Sequence, residues 1–239
     1  MKAPKNNRIA EGWGEQLQEW LAHGSYRDFA HLFRLRMAEE KESFHSLLDV
    51  GCGTGRLLRY CCDRGIPCVG IDMSMTIVKY HKETTGLPVI LGDVMNIPVK
   101  DSRFDLVVCF GLIEHVPDPT AALRELRRVT SPNGRILISV PLRWGIFPLL
   151  VPIWYFTGGR YRHGWREMVG RMYSRRTLGA LLESNGWVVD EIAAFKASSL
   201  LDWLHMPFSE ALARWWECSP VIHRLFGIML YAIGHRREV

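Results

Sequence analysis

Leu47-Leu48-Asp49-Val50-Gly51-Cys52-Gly53-Thr54-Gly55 is an apolar run that closes on an acid and then alternates three glycines. Leu57-Leu58 follows and opens a helical pattern. Strand, glycine turn and helix make the first unit of a nucleotide-type α/β domain, whose ligand lies outside the carboxyl end of the strand. Glycine serves such a turn twice: it tolerates positive φ, and it lets a ligand approach the backbone. A dinucleotide fingerprint would place Gly or Ala at position 56, for close helix–strand packing around a pyrophosphate. The chain has Arg56 there and its third glycine at Gly55, a spacing suited to a ligand without phosphates.

Downstream, acids recur at strand ends. Pro67-Cys68-Val69-Gly70-Ile71-Asp72 reads as a short buried strand, and Asp72 stands 21 residues beyond Gly51. In this fold that spacing sets a carboxylate against ribose hydroxyls, and a carboxylate, being acceptor-only, can take both of their protons. The bland alternative for Asp72 is a cap for the helix starting near Ser74. Pro88 to Asp93 reads as a third strand, again ending on an acid, and Phe104 to Phe110 as a fourth, too continuously apolar to have a solvated face. Asn96-Ile97-Pro98 and Asp101-Ser102 punctuate the loop between them.

With these pieces in place, the sequence resembles the class I S-adenosylmethionine-dependent methyltransferases, specifically over residues 45–140 and in outline over 173–235. The resemblance implies a doubly wound, mostly parallel seven-stranded α/β sheet with helices on both faces and an antiparallel last strand. It implies S-adenosylmethionine as cofactor, held by Asp49, Gly51, Cys52, Gly53, Gly55, Asp72, Met73, Asp93, Val94 and Phe110. Asp93 would accept from the adenine amino group, and the Val94 amide would meet a ring nitrogen.

Gly111-Leu112-Ile113-Glu114-His115-Val116-Pro117-Asp118-Pro119 leaves the fourth strand where the transferable methyl group should sit. Glu114 and His115 are the candidate catalytic pair, because imidazole titrates near neutrality and can take a proton from a phenol or ammonium acceptor. The competing reading is that the pair orders the loop. Quinone-biosynthesis O-methyltransferases look similar here but carry a further acid, associated with a divalent metal, where this chain has Gly111; no metal is expected. His163 is a weaker alternative base.

Asp118 is a good N-cap and Pro119 a good first helical residue, with Leu123, Leu126 and Val129 as the buried stripe. Ser131 to Gly134 reads as a turn and Arg135 to Val140 as a fifth strand. Four βα units in succession imply a parallel sheet with right-handed crossovers. Ser174 caps a helix ending at Asn185-Gly186, Trp187 to Ile192 is a sixth strand, and Phe226 to Gly234 is the last.

Two segments flank or interrupt this frame. Within residues 10–44, 13–42 are helical by periodicity, and the resemblance implies a cover over the cofactor cleft, with Tyr26 and Phe29 as lid residues; the alternative is an apolar face packed on the sheet. Residues 142–172 are irregular, with eleven uncharged residues from Ile146 to Phe156, followed by six arginines from Arg160 to Arg176 against the single acid Glu167. Eleven residues are too few to span a bilayer as a helix, which needs about 20. What remains is an apolar wall for the acceptor, a peripheral membrane contact through 146–176, a subunit contact, or burial against the aromatic-rich 199–226.

The 239 residues suffice for one domain, with 48% hydrophobic residues and a net charge of +5. The six cysteines form no Cys-x-x-Cys, and no apolar h-region opens the chain, so a reduced cytoplasmic setting is expected, with membrane association as its extension. The function expected is methyl transfer to O or N of a small acceptor, apolar or lipid-like in character. RNA methylation and non-catalytic cofactor binding are the alternatives; DNA is not an expected partner. A nicotinamide oxidoreductase is opposed by Arg56 and by the second acid, Asp93.

Overall fold

The computed structural model describes residues 44–143, 170–195 and 229–237. The expected lid over 10–43, most of the 142–172 insert with His163, and the aromatic segment 199–226 lie outside the described residues.

Seven strands form one sheet in the order β3-β2-β1-β4-β5-β7-β6. They are β1 (Leu47–Val50), β2 (Cys68–Asp72), β3 (Val89–Leu91), β4 (Phe104–Phe110), β5 (Thr130–Pro141), β6 (Trp187–Phe195) and β7 (Met229–Arg236). The first five run parallel, with Leu47 beside both Cys68 and Leu106. β7 is inserted antiparallel between β5 and β6, running from Arg135 opposite His235 to Pro141 opposite Met229. The strand order reverses between β1 and β4, and at such a switch point the loops leaving the carboxyl ends diverge to open a cleft.

The continuous apolar character of β1 and β4 follows from burial on both faces. Leu48, Val50, Val107 and Cys109 enter one core cluster, while Leu47, Leu106 and Val108 enter the other. α1 (Arg56–Cys62) contributes Leu57, Leu58 and Cys61 to the second cluster. Between β2 and β3 lies α2 (Met75–Tyr80). α3 (Pro119–Val129) begins where its cap chemistry dictates: the Asp118 carboxylate accepts from Thr120 N–H at 2.9 Å and Ala121 N–H at 3.1 Å. It buries Leu123, Leu126 and Val129, as the stripe predicts, together with Ala122. α4 (Arg175–Ser184) opens with a capping box between Ser174 and Thr177 and packs Leu178 and Leu182 into the first cluster.

As expected, a loop joins β3 to β4, and it carries an isolated bridge between Asp93 and Asn96. Two details differ from expectation. The Ser131–Gly134 turn is absorbed into β5 as a bulge, because Phe104 pairs with Thr130 and Leu106 already with Arg135. β3 is only three residues long, so Asp93 lies beyond its end. Among the described residues, no helix is long and apolar enough to cross a membrane.

Candidate active site

The glycine loop closes on itself and on β2. Gly51 and Cys52 donate their N–H groups to the Ile71 carbonyl at 2.8 and 3.1 Å, and Gly55 N–H reaches Cys52 C=O at 2.9 Å. Gly53 has φ 47, and a Cβ there would meet nothing within 4 Å, so this residue faces open space. Gly55 differs: at φ 70 it abuts the core, and a Cβ would come within 2.6 Å of the His81 ring and 2.7 Å of Leu87.

Gly53 is gripped from two sides. Its N–H donates to Asp72 Oδ2 at 3.1 Å, and its carbonyl lies 2.7 Å from His81 Nε2. Facing a carbonyl, which can only accept, Nε2 must carry the proton. His81 Nδ1 sits 2.9 Å from Thr85 Oγ1, and the ring is wholly buried. His81 opens a π turn (His81–Thr85) directly after α2. Neither His81 nor Thr85 was identifiable as a site residue from sequence, because the histidine's partner lies 28 positions upstream. The only local signal was the i,i+4 spacing of His81 and Thr85, which core histidines share.

Asp72 Oδ1 accepts from Ser74 N–H at 2.9 Å, so each carboxylate oxygen holds one backbone N–H. A carboxylate has about four lone-pair sites, which leaves one position on each oxygen for a ligand donor. Ser74 itself caps α2 by accepting from Ile77 N–H at 3.4 Å, so Asp72 is not the helix cap. Met73, between the two, is partly buried. Burial raises the Asp72 pKa, opposed by the N–H groups of Ser74 and Gly53. Asp49 is buried at the end of β1, and burial and then the Asp72 charge push its pKa up to about 7. The Asp72 carboxylate is thus near enough to be felt by Asp49.

Asp93 accepts Met95 N–H through Oδ1 at 2.9 Å, and Val94 buries its side chain in the core, leaving only backbone for a ligand. Phe110, at the end of β4, is partly buried against the second cluster. The Cys52 thiol is buried, and its pKa is raised by burial and by both neighbouring acids.

Glu114 and His115 sit in the turn after β4, closed by His115 N–H donating to Leu112 C=O at 2.9 Å. Glu114 Oε1 is 3.9 Å from His115 Nε2, too long for a hydrogen bond. Burial raises the Glu114 pKa to about 8 and lowers that of His115 to about 4. At neutral pH both are uncharged, so the proximity is not an ion pair. Among the described residues, Glu114 Oε2 is buried without a hydrogen-bond partner, as is the Tyr173 hydroxyl.

A short strap lies across this turn. Arg171 N–H donates to Glu114 C=O at 3.0 Å, and Tyr173 N–H to Pro141 C=O at 2.9 Å, linking the exits of β4 and β5. The Arg171 guanidinium donates to the carbonyls of Val116 and Pro117. These two carbonyls fix the guanidinium on the turn. The strap was not identifiable from sequence, because its partners lie more than 50 residues away. Among the described residues, no cluster of His, Cys, Asp and Glu has metal-binding geometry.

A family model described as a methyltransferase domain matches residues 20–192, well over half of the chain. A ubiquinone biosynthesis O-methyltransferase of Pseudomonas paraeruginosa is 32% identical over 100 residues, 39% of this chain and 43% of that protein. The chain thus matches under half of that relative's length. A malonyl-[acyl-carrier protein] O-methyltransferase of Pseudescherichia vulneris is 23% identical over 215 residues, 89% of this chain and 78% of that one. The solved structure of a SAM-dependent methyltransferase from Thermotoga maritima shares the fold with a TM-score of 0.63 at 20% identity, covering 96% of this chain and 99% of that one.

Proposed function

The chain belongs to the methyltransferase-domain family, and we propose that it transfers the methyl group of S-adenosylmethionine to an oxygen or nitrogen of a small acceptor of apolar character. The observation that carries this reading is Asp72, which two backbone N–H groups hold in place beside the open side of Gly53. Its two remaining acceptor positions match the two hydroxyls of a ribose. Asp93 retains Oδ2 for an exocyclic amine, and the Val94 backbone for a ring nitrogen. Asp49 answers positive charge on the ligand, because a cation nearby favours its ionised form. Gly51, Cys52, Gly53 and Gly55 supply the backbone wall, and Met73 and Phe110 the flanks.

When bound, the cofactor would supply a methyl group activated by its sulfonium, with the neutral thioether as the leaving group. Much of the acceleration then comes from holding the acceptor in near-attack geometry. His115, kept neutral by burial, accepts the acceptor's proton. The names of the two relatives, both O-methyltransferases, support oxygen over nitrogen.

The test is acceptor-dependent methyl transfer from labelled S-adenosylmethionine to a panel of phenols, hydroquinones, carboxylates and amines. Turnover with a hydroxyl acceptor supports the reading. Tight cofactor binding without turnover on any class would leave a binding protein instead.

A further inference from the structure

At the edge of the sheet opposite the glycine loop, four arginines surround one cleft of about 360 Å³. Arg124, Arg127 and Arg128 come from the C-terminal half of α3, and Arg236 from the end of β7; Asp101, Ser102, Ser184, Asn185 and Gly186 complete the lining, with the Asp101 carboxylate turned onto Arg128. These positions lie at the amino ends of the parallel strands, away from Gly51–Gly55 and Glu114.

Arg128 is neutralised. It holds Glu125 through Nε and Nη2 at 2.8 and 2.7 Å, and Asp101 through Nη1 at 2.6 Å. The other three are not. Arg127 donates Nε to Gly186 C=O at 3.1 Å and Nη2 to Arg237 C=O at 3.0 Å. Arg236 donates Nη1 to Ser102 Oγ at 3.0 Å and to Thr130 C=O at 2.8 Å. Those acceptors are neutral, so they fix the guanidiniums without cancelling their charge. Of five N–H donors on each, about three remain. Arg124 has no hydrogen-bond or ionic partner among the described residues.

The backbone is shaped around this arrangement. Ser102 is the one non-glycine at positive φ (52) among the described residues, a conformation that costs energy for an L-residue and concentrates at functional sites. Its hydroxyl is the one that accepts from Arg236. A Cβ at Gly186 would come within 2.6 Å of Arg127 Nε, so the glycine makes room for that guanidinium.

We propose that this cleft is an anion site, separate from the cofactor cleft, that takes the phosphate dianion of a small soluble molecule. Fixed guanidinium forks match phosphate oxygens bidentately, and preorganisation lowers the entropy lost on binding. A cleft of this size accommodates an organic group beside the phosphate. The exposed large apolar residues among those described, Met75, Ile90 and Leu91, belong to α2 and β3 at the far side of the sheet. Nothing apolar among the described residues beside the cleft is therefore placed to enter a bilayer.

The test is titration of inorganic phosphate into the full chain at pH 8 and constant ionic strength, with chloride as control, followed through arginine side-chain ¹H–¹⁵N signals. Saturable binding at one site is expected, unchanged by saturating S-adenosylmethionine. Arg124→Glu should weaken it at least about tenfold, the scale of a lost charge-assisted contact. Because Arg124 has no polar partner among the described residues, the variant should melt as the parent does. A second arm measures co-sedimentation with phosphatidic acid vesicles. Absence of saturable phosphate binding, equal affinity in Arg124→Glu, or binding to the vesicles alone would each overturn the proposal.

Discussion

Glu114→Gln gives the most quantitative access to the turn after β4. The Glu114 carboxyl is buried, its Oε2 lacks a partner among the described residues, and its pKa is raised from 4.5 to about 8. In the unfolded chain it releases its proton near the ordinary value, whereas the folded protein keeps it. Between those two values the folded state binds more protons, so stability falls as pH rises. The benefit is fully present below about pH 4.5 and is lost progressively up to about pH 8. At about 1.36 kcal/mol for each pH unit in that interval, the loss between pH 5 and pH 8 is roughly 3 kcal/mol. Glutamine does not titrate, so the variant should lack this component. Asp49, raised to about 7, works in the same direction. His115, lowered to about 4, works oppositely, its contribution being present above about pH 6.5 and lost as pH falls to about 4. Both are common to the two proteins and cancel in the difference. Urea unfolding of the cofactor-free proteins at pH 5, 6.5 and 8 should show Glu114→Gln gaining roughly 3 kcal/mol on the parent across that range. The amide's own cost adds a constant. A stability difference that stays flat from pH 5 to 8 would refute the reasoning, since it would mean an ordinary ionised carboxylate in the folded state.

His115→Ala should lower kcat by roughly 10²–10⁴ while leaving cofactor affinity unchanged. In the parent, the acid limb of kcat/KM should lie below pH 5, because burial holds His115 near 4; a few-fold loss in the variant would make the pair a loop-ordering device. His81→Phe removes the Nε2–H donor from the Gly53 carbonyl and should weaken cofactor binding about tenfold by calorimetry. A lowered melting temperature with unchanged affinity would reduce His81 to a core residue.

What the sequence disclosed was chemistry that acts over a few residues. The glycine turn, the Asp118–Pro119 start of α3 and the Ser174 cap of α4 are each set by neighbours within four positions, and each stands where expected. The position of Asp72 beside the glycine loop was legible because one βα unit fixes its distance from Gly51. Contacts between distant segments left no such trace. The His81–Gly53 clamp and the Arg171–Glu114 strap depend on backbone groups, which carry no residue-specific mark. The bulge at Ser131–Gly134 looked like a turn because Ser-Pro-Asn-Gly favours one in isolation, while pairing of Thr130 with Phe104 extends the strand before it. The environments of Glu114 and His115 were equally hidden, because burial moves both pKa values and burial is a property of the assembled fold.

A cofactor cleft built on the glycine loop and Asp72 is tested most directly by calorimetric titration of S-adenosylmethionine into the parent and Asp72→Ala. The parent should bind one equivalent saturably. The variant, folded by circular dichroism, should bind at least about tenfold more weakly, because hydrogen bonds to a charged acceptor are worth roughly 1.5–3 kcal/mol. Equal affinity in the two proteins, or no binding to the parent, would contradict that assignment.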